Sequence, residues 1–316
     1  FLGTEIPEAD MVHILETLQF GIEKDGDTLT AVVPSYRGDC TEMPDIAEEV
    51  ARVYGYENIP STRPAAPISK GEAGFHHDVG EKISSILSSS GLNETVTFSF
   101  MHPDQLKKLL FKDGDAVYNA VPILNPITED FPLMRTTLVP TLMDVLVRNQ
   151  AVKNPSVGIY EIAPVYRPKQ LPLTELPEQE FYVSGLLYGQ RTPAEWPAKA
   201  ENYDFYDVKG LVEAVLQGLG IQADLEVSDW APLHPGKAAR YVKDGKVLCD
   251  FGELHPKAID NYDVAGPVYV FEMHMDAILP LVNLLPDYHK VAKFPASSRD
   301  LAFLAPLATA NADIVS

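Results

Sequence analysis

Apolar positions along this chain recur at two spacings, and each spacing predicts its own elements. Met11, Ile14, Leu15 and Leu18 fall on one face at helical spacing, and Pro7 suits a first turn, so a helix is expected over 7–18. Asp25-Gly26-Asp27 is a turn signal, and 28–33 alternates enough to be a strand stopped by Pro34. A second helix is expected over 44–54, ending near Gly55. Helix, hairpin and helix in this span suggest a small three-helix or winged-helix type of module. Ser61-Thr62-Arg63-Pro64-Ala65-Ala66-Pro67 then reads as a linker, since prolines and small residues make a poor helix or central strand.

A larger domain follows. Helices are expected over 79–89, 138–150 and 207–219, the last with Asp204 or Asp207 as its N-cap. Strands are expected over 94–100, 158–166, 180–188, 247–251 and 268–273, on β-branched and aromatic content. The alternation lacks a regular βαβ rhythm, which favours α+β with an antiparallel sheet. Residues 285–298 read as a second connector, and 299–304 as the beginning of a further element.

Composition narrows this picture. The chain has 316 residues, about two domains' worth, with 46% hydrophobic and 22% charged residues, the balance of a globular protein. A formal charge of −20 excludes a generic cationic nucleic-acid binder, because counterion release needs clustered Lys and Arg. Two distant cysteines, Cys40 and Cys249, exclude a disulfide framework and a zinc ribbon, and suit a reducing cytoplasm. The most apolar stretch, 268–285, is interrupted by Glu272, His274 and Asp276, so no membrane span is expected. The chain opens on Phe1 without an initiator methionine and closes after a strand-like run. We expect it to be an excerpt of a longer protein.

Familiar catalytic signatures are missing. There is no P-loop and no nucleophile elbow. Gly218-Leu219-Gly220-Ile221-Gln222-Ala223 resembles a degenerate dinucleotide fingerprint, but it closes a helix, and a helix C-cap is the simpler reading. His234-Pro235-Gly236 and His255-Pro256 read as turns. One dense chemical cluster remains: Asp39, Asp45, Glu48 and Glu49. The last three share one helical face at i, i+3, i+4, and Asp39 precedes them in a loop. Read from the residues alone, first-turn acids compensate the helix dipole, and Arg37 and Arg52 can neutralise the set. The alternative is a hard-oxygen site for Mg²⁺ or Ca²⁺.

The run Val33-Pro34-Ser35-Tyr36-Arg37-Gly38-Asp39, continued by 45–60, resembles the B-five domain of phenylalanyl-tRNA synthetase beta subunits. Asn125-Pro126-Ile127, Met134-Arg135-Thr136-Thr137-Leu138, Arg148-Asn149, Tyr160-Glu161-Ile162, 204–210, 234–238 and 251–256 resemble the catalytic-like core of the bacterial beta subunits, in order. Lys293-Phe294-Pro295 and Arg299-Asp300-Leu301-Ala302 resemble the entry to a ferredoxin-like anticodon-binding domain. The resemblance implies an α+β chain: a winged-helix-like domain over 1–64, a class II synthetase-like antiparallel-sheet domain over 68–286, and a connector with a truncated third domain over 287–316. It also implies a non-catalytic, architectural subunit. Its partners would be a catalytic alpha subunit, in a complex of two alpha and two beta chains, and the tRNA for phenylalanine. ATP would be used by the whole enzyme and not bound by this chain. Mg²⁺ is implied at Asp39, Asp45, Glu48 and Glu49. The family's editing and N-terminal tRNA-binding modules have no counterpart in these residues.

The sequence offers a physical reason for the lack of catalysis. An active class II site needs an arginine followed two residues later by an acid, the arginine holding the α-phosphate. Here Arg167-Pro168-Lys169 puts a lysine in place of that acid, and 251–256 offers no arginine to grip ATP. The competing function is a free-standing winged-helix nucleic-acid-binding protein, against which the acidic second helix argues. A third possibility is an independently active synthetase paralogue.

Overall fold

A computed structural model describes residues 1–316 apart from 64, 66–70, 72, 193–195, 198, 286, 287, 289, 308, 310–313, 315 and 316. Part of the expected linker and the strand-like run at the end lie outside the described residues. The chain divides into two compact units, Phe1–Glu72 and Ala73–Ser316.

In the first unit, helix α1 (Glu8–Thr17) follows Pro7, which fixes the backbone entering the first turn. Strands β1 (Gly21–Asp25) and β2 (Thr28–Val32) pair antiparallel around Gly26, whose φ of +61° a side chain would strain. Helix α2 (Met43–Tyr54) begins behind a capping box and stops where Gly55 turns to φ +99°. Ile14, Leu15, Phe20, Cys40 and Val50 form the small core. Helix, hairpin and helix thus occur in the expected order.

The second unit opens with α3 (Phe75–Ser89), one turn longer at its start than the periodicity suggested. Strands β3 (Asn93–Glu94) and β4 (Phe100–Met101) are all that forms of the strand expected over 94–100. Thr95 still donates its amide to the Tyr160 carbonyl of β6, and the ladder ends where Thr97 turns its amide and hydroxyl onto the Glu161 carboxylate. Next come α4 (Pro103–Lys108), β5 (Leu133–Met134), α5 (Val139–Ala151), β6 (Ser156–Arg167), β7 (Glu178–Thr192) and β8 (Glu201–Asn202). Helix α6 (Phe205–Gly218) is capped reciprocally by Asp204 and Asp207. The chain continues through β9 (Asp224–Val227), β10 (Leu233–Lys243), β11 (Lys246–Leu254), α7 (Pro256–Asn261), β12 (Val268–His274) and α8 (Met275–Ile278). Residues 299–304, read as the start of a further element, take no regular structure.

The main sheet runs β3-β6-β7-β12-β11-β10-β9, with β8 on β7. Only β3–β6 is parallel, so the fold is α+β with a mainly antiparallel sheet. Both faces are covered. The period of two sends Tyr269, Phe271 and Met273 of β12 toward α3 and α6, and Val268 and Val270 toward α4, α5 and α7. Close strand contact makes Gly185 obligatory: a Cβ there would sit 2.2 Å from the ring of Phe271, which is fully buried and cannot retreat. Gly185→Ala is expected to destabilise this unit by about 1–3 kcal/mol, the cost of overpacking, as read from urea titration.

Candidate functional site

The acidic set lies at the loop before α2 and along that helix. Arg37 sits in its middle. Its guanidinium makes a two-pronged contact with Asp39, Nε to Oδ1 at 3.0 Å and Nη2 to Oδ2 at 2.7 Å. The third nitrogen, Nη1, donates to Glu49 Oε2 at 2.9 Å, and Arg52 Nη2 donates to the same oxygen at 2.6 Å. The Phe20 ring lies 5.8 Å below the Arg37 guanidinium. Hydrogen bonds from Arg37 hold Asp39 well below the usual carboxylate range, and those from Arg37 and then Arg52 hold Glu49 down to about 2. Asp45 has a different task. Its Oδ2 accepts the backbone N–H groups of Glu42 and Thr41, both at 2.8 Å, which also lowers its pKa. Glu48 is exposed and, among the described residues, unengaged.

The structure therefore brings Asp39 and Glu49 together around Arg37 and leaves Asp45 Oδ1 and Glu48 free on the helix face. Among the described residues, no three carboxylate, imidazole or thiol groups converge to hold a metal ion unaided. The donor chemistry still fits Mg²⁺. All four side chains are hard oxygen donors, and Mg²⁺ commonly takes one or two carboxylates with water completing its shell. Asp45 and Glu48 lie at i and i+3 on α2, one helical turn apart. Arg37 covers both oxygens of Asp39, whereas Glu49 shares only Oε2 with Arg37 and Arg52.

In the second unit, Arg167 closes β6. Its Nη2 donates to the Tyr182 hydroxyl at 3.0 Å and to the Thr136 carbonyl at 3.3 Å. Its Nε donates to Glu180 at 3.3 Å, and its Nη1 to the Ala116 carbonyl at 3.5 Å. Lys169 lies 3.5 Å from Glu175 and 3.9 Å from Glu178. Tyr182 packs against His274 with the rings tilted by 33° and their centres 4.7 Å apart. Glu272, two residues before His274, is buried and accepts from the Thr137 hydroxyl at 2.8 Å and the Leu138 amide at 2.9 Å. Burial pushes its pKa up to about 7 against those bonds, and burial pushes His274 down.

The Phe251–Pro256 run is likewise engaged internally. Lys237 Nζ donates to buried Glu253 at 2.6 Å, and His255 Nδ1 caps α7 by accepting the Lys257 amide at 3.1 Å. The His234–Gly236 turn persists, with His234 Nδ1 accepting the Gly236 amide at 2.9 Å, inside a bulge of β10. Of the surroundings of Arg167, Glu180 and Tyr182 carried no sequence signal of their own, and Glu272 and His274 stood out only as polar interruptions of an apolar stretch. They meet only when β6, β7 and β12 pair.

Comparison with known proteins agrees with both regions. Residues 1–56 match the tRNA synthetase B5 domain, and residues 59–275 match the phenylalanyl tRNA synthetase beta chain CLM domain, which defines a tRNA-synthetase class of protein. The chain belongs to the phenylalanyl-tRNA synthetase beta chain family. It is 33% identical to the phenylalanine–tRNA ligase beta subunit of Clostridium tetani over 96% of this chain and 37% of the relative. It is 33% identical to that of Staphylococcus saprophyticus over 99% and 38%, and 34% identical to that of Clostridium acetobutylicum over 96% and 37%. The chain thus spans less than two-fifths of the length of these relatives. The crystal structure of pyrrolysyl-tRNA synthetase from Desulfitobacterium hafniense overlays 65% of this chain and 68% of its own, at 16% identity and a TM-score of 0.49.

Proposed function

We infer that this chain serves as a non-catalytic, architectural part of a phenylalanine–tRNA ligase beta subunit. In this reading it joins an alpha subunit, in a complex of two alpha and two beta chains. The complex uses ATP and Mg²⁺ to attach phenylalanine to its tRNA, with the chemistry in alpha. The single observation that carries the reading is the engagement of Arg167. An arginine that grips an α-phosphate must present its donors to the ligand. Here the donors go to Glu180, Tyr182 and two backbone carbonyls, and Lys169 stands where an acid is needed.

The finer architecture belongs to the same proposal. The first unit is winged-helix-like, the second is class II synthetase-like, and the boundaries fall at 1–64, 68–286 and 287–316. The family matches, over 1–56 and 59–275, support a division into the first two parts. A cytoplasmic location is supported by two free, buried cysteines, and no described helix is long and apolar enough to cross a membrane. Mg²⁺ is proposed at Asp39, Asp45, Glu48 and Glu49, held first by Asp45 and Glu48. When bound, it would supply charge neutralisation at the loop–helix junction and no chemistry on substrate.

The test is assembly and exchange. Full-length beta chain mixed with alpha subunit is expected to co-elute in gel filtration. Purified without alpha, it is expected to give no phenylalanine-dependent ATP–pyrophosphate exchange. Persistent separate peaks would count against assembly, and exchange by beta alone would overturn the non-catalytic role.

A further inference from the structure

We propose that two matching turns of the larger unit, 234–237 and 255–257, together form a phosphate-binding site. Leu233-His234-Pro235-Gly236-Lys237-Ala238 and Leu254-His255-Pro256-Lys257-Ala258 read alike but for one inserted glycine. Folding sets them side by side, because Leu233 and Leu254 are partners across the β10–β11 ladder. Both leucines are buried in the core, so strand alternation turns the histidine after each toward the opposite face. The two imidazoles accordingly lie 6.4 Å apart between ring centres. The bulge that carries His234 is built in, since the four residues 234–237 stand opposite Glu253 alone. Its backbone presses on Gly252, where a Cβ would sit 2.3 Å from the Lys237 carbonyl oxygen.

The hydrogen bonds decide what the pair can hold. His234 Nδ1 accepts the Gly236 amide at 2.9 Å, and His255 Nδ1 accepts the Lys257 amide at 3.1 Å. A neutral ring whose Nδ1 accepts carries its proton on Nε2. Each histidine is therefore a donor at Nε2, and that tautomer offers a metal ion no lone pair. Capping the turns accounts for Nδ1, as it does at His102 on α4. It leaves both Nε2 donors without a partner among the described residues. Lys237 and Lys257 add ammonium donors in the same two turns. Lys237 reaches buried Glu253 at 2.6 Å yet is half exposed, and Lys257 is exposed. A phosphate group carries several acceptor oxygens and can serve two imidazoles and an ammonium at once. Glu253 and Asp260 balance the two lysines in charge, so recognition here rests on directed N–H donors and not on net charge. The phosphate is that of a tRNA backbone or a free phosphate ion, and the tRNA source rests on the ligase reading above.

The test removes the outward donors and keeps the caps. Asparagine offers Oδ1 where histidine offers Nδ1 and is itself a favoured cap, so His234→Asn with His255→Asn spares the turns. Folding is checked by circular dichroism and by co-elution with alpha, and each single variant stands in should the double unfold. Full-length beta chain in complex with alpha is titrated with fluorescently labelled tRNA for phenylalanine, and with inorganic phosphate in a calorimeter. A loss of about tenfold in tRNA affinity is expected. Its dependence on salt is expected to stay unchanged, because neutral donors release no counterions. ATP–pyrophosphate exchange by the complex is expected to stay at the wild-type level. A loss for inorganic phosphate alone would uphold the site and assign it to the free ion. Folded variants that bind both probes as wild type does would overturn the proposal. A wild-type complex that binds phosphate but no tRNA would sink the ligase reading and leave the site standing, and one that binds neither would sink both.

Discussion

Arg135→Met is expected to cost the larger unit about 3–5 kcal/mol, because it breaks a buried ion pair from one side. Arg135 is 2% exposed. Its Nη1 donates to Glu161 at 2.9 Å and to the Thr97 hydroxyl at 3.0 Å, and its Nε donates to the Pro164 carbonyl at 3.0 Å. Glu161 would keep two bonds from Thr97 but lose its only counter-charge in the contact. Replacing both partners, Arg135→Met with Glu161→Leu, is expected to cost less than Arg135→Met alone, since no uncompensated charge then stays buried. Urea titration followed by tryptophan fluorescence reads this unit selectively, because both tryptophans, Trp196 and Trp230, lie in it. A single variant that lost less than the double would refute the argument.

Glu272→Gln is expected to stabilise the same unit strongly at pH 8 and by only about a quarter as much at pH 5. Burial raises the carboxyl from its ordinary 4.5 to about 7. A raised acid binds its proton more tightly folded than unfolded. Its stabilising effect is therefore complete below about pH 4.5 and is lost as pH rises to about 7. The difference corresponds to about 3 kcal/mol. Glutamine keeps an acceptor for the Thr137 hydroxyl and the Leu138 amide but carries no charge to bury. The same fluorescence titration at both pH values reads the change. A stability gap between variant and wild type that did not widen from pH 5 to pH 8 would show that Glu272 does not titrate in this range.

These two sites also mark the limit of what the sequence reveals. The helices were legible because amphipathic spacing and caps are local: α1, α2, α5 and α6 start and stop within a residue or two of the expected positions. β9 escaped notice because all four of its residues are exposed, and β10 because His234-Pro235-Gly236 interrupts it with a bulge. The strand read over 94–100 has the β propensity for one, yet its ladder with β6 stops after Thr95 because Thr97 gives its donors to the Glu161 carboxylate. Arg135 and Glu161 stood in family-like motifs and Glu272 in an apolar stretch, but their burial and pairing are decided by partners far along the chain. The acidic set was legible as a group. The way Arg37 divides it, two carboxylates held and two free, is a matter of side-chain reach that spacing does not encode.

The position of β12 carries a consequence for synthesis. This strand lies between β7 and β11, yet it is made after both. Until residues 268–274 leave the ribosome, β6–β7 and β10–β11 are separate hairpins, each with an open edge meant for the same latecomer. Leu186 and Phe251 stay unsheltered on those edges until it arrives. The nascent chain must therefore wait with its central seam unsewn, and the closing of that seam is the step at which one sheet first exists.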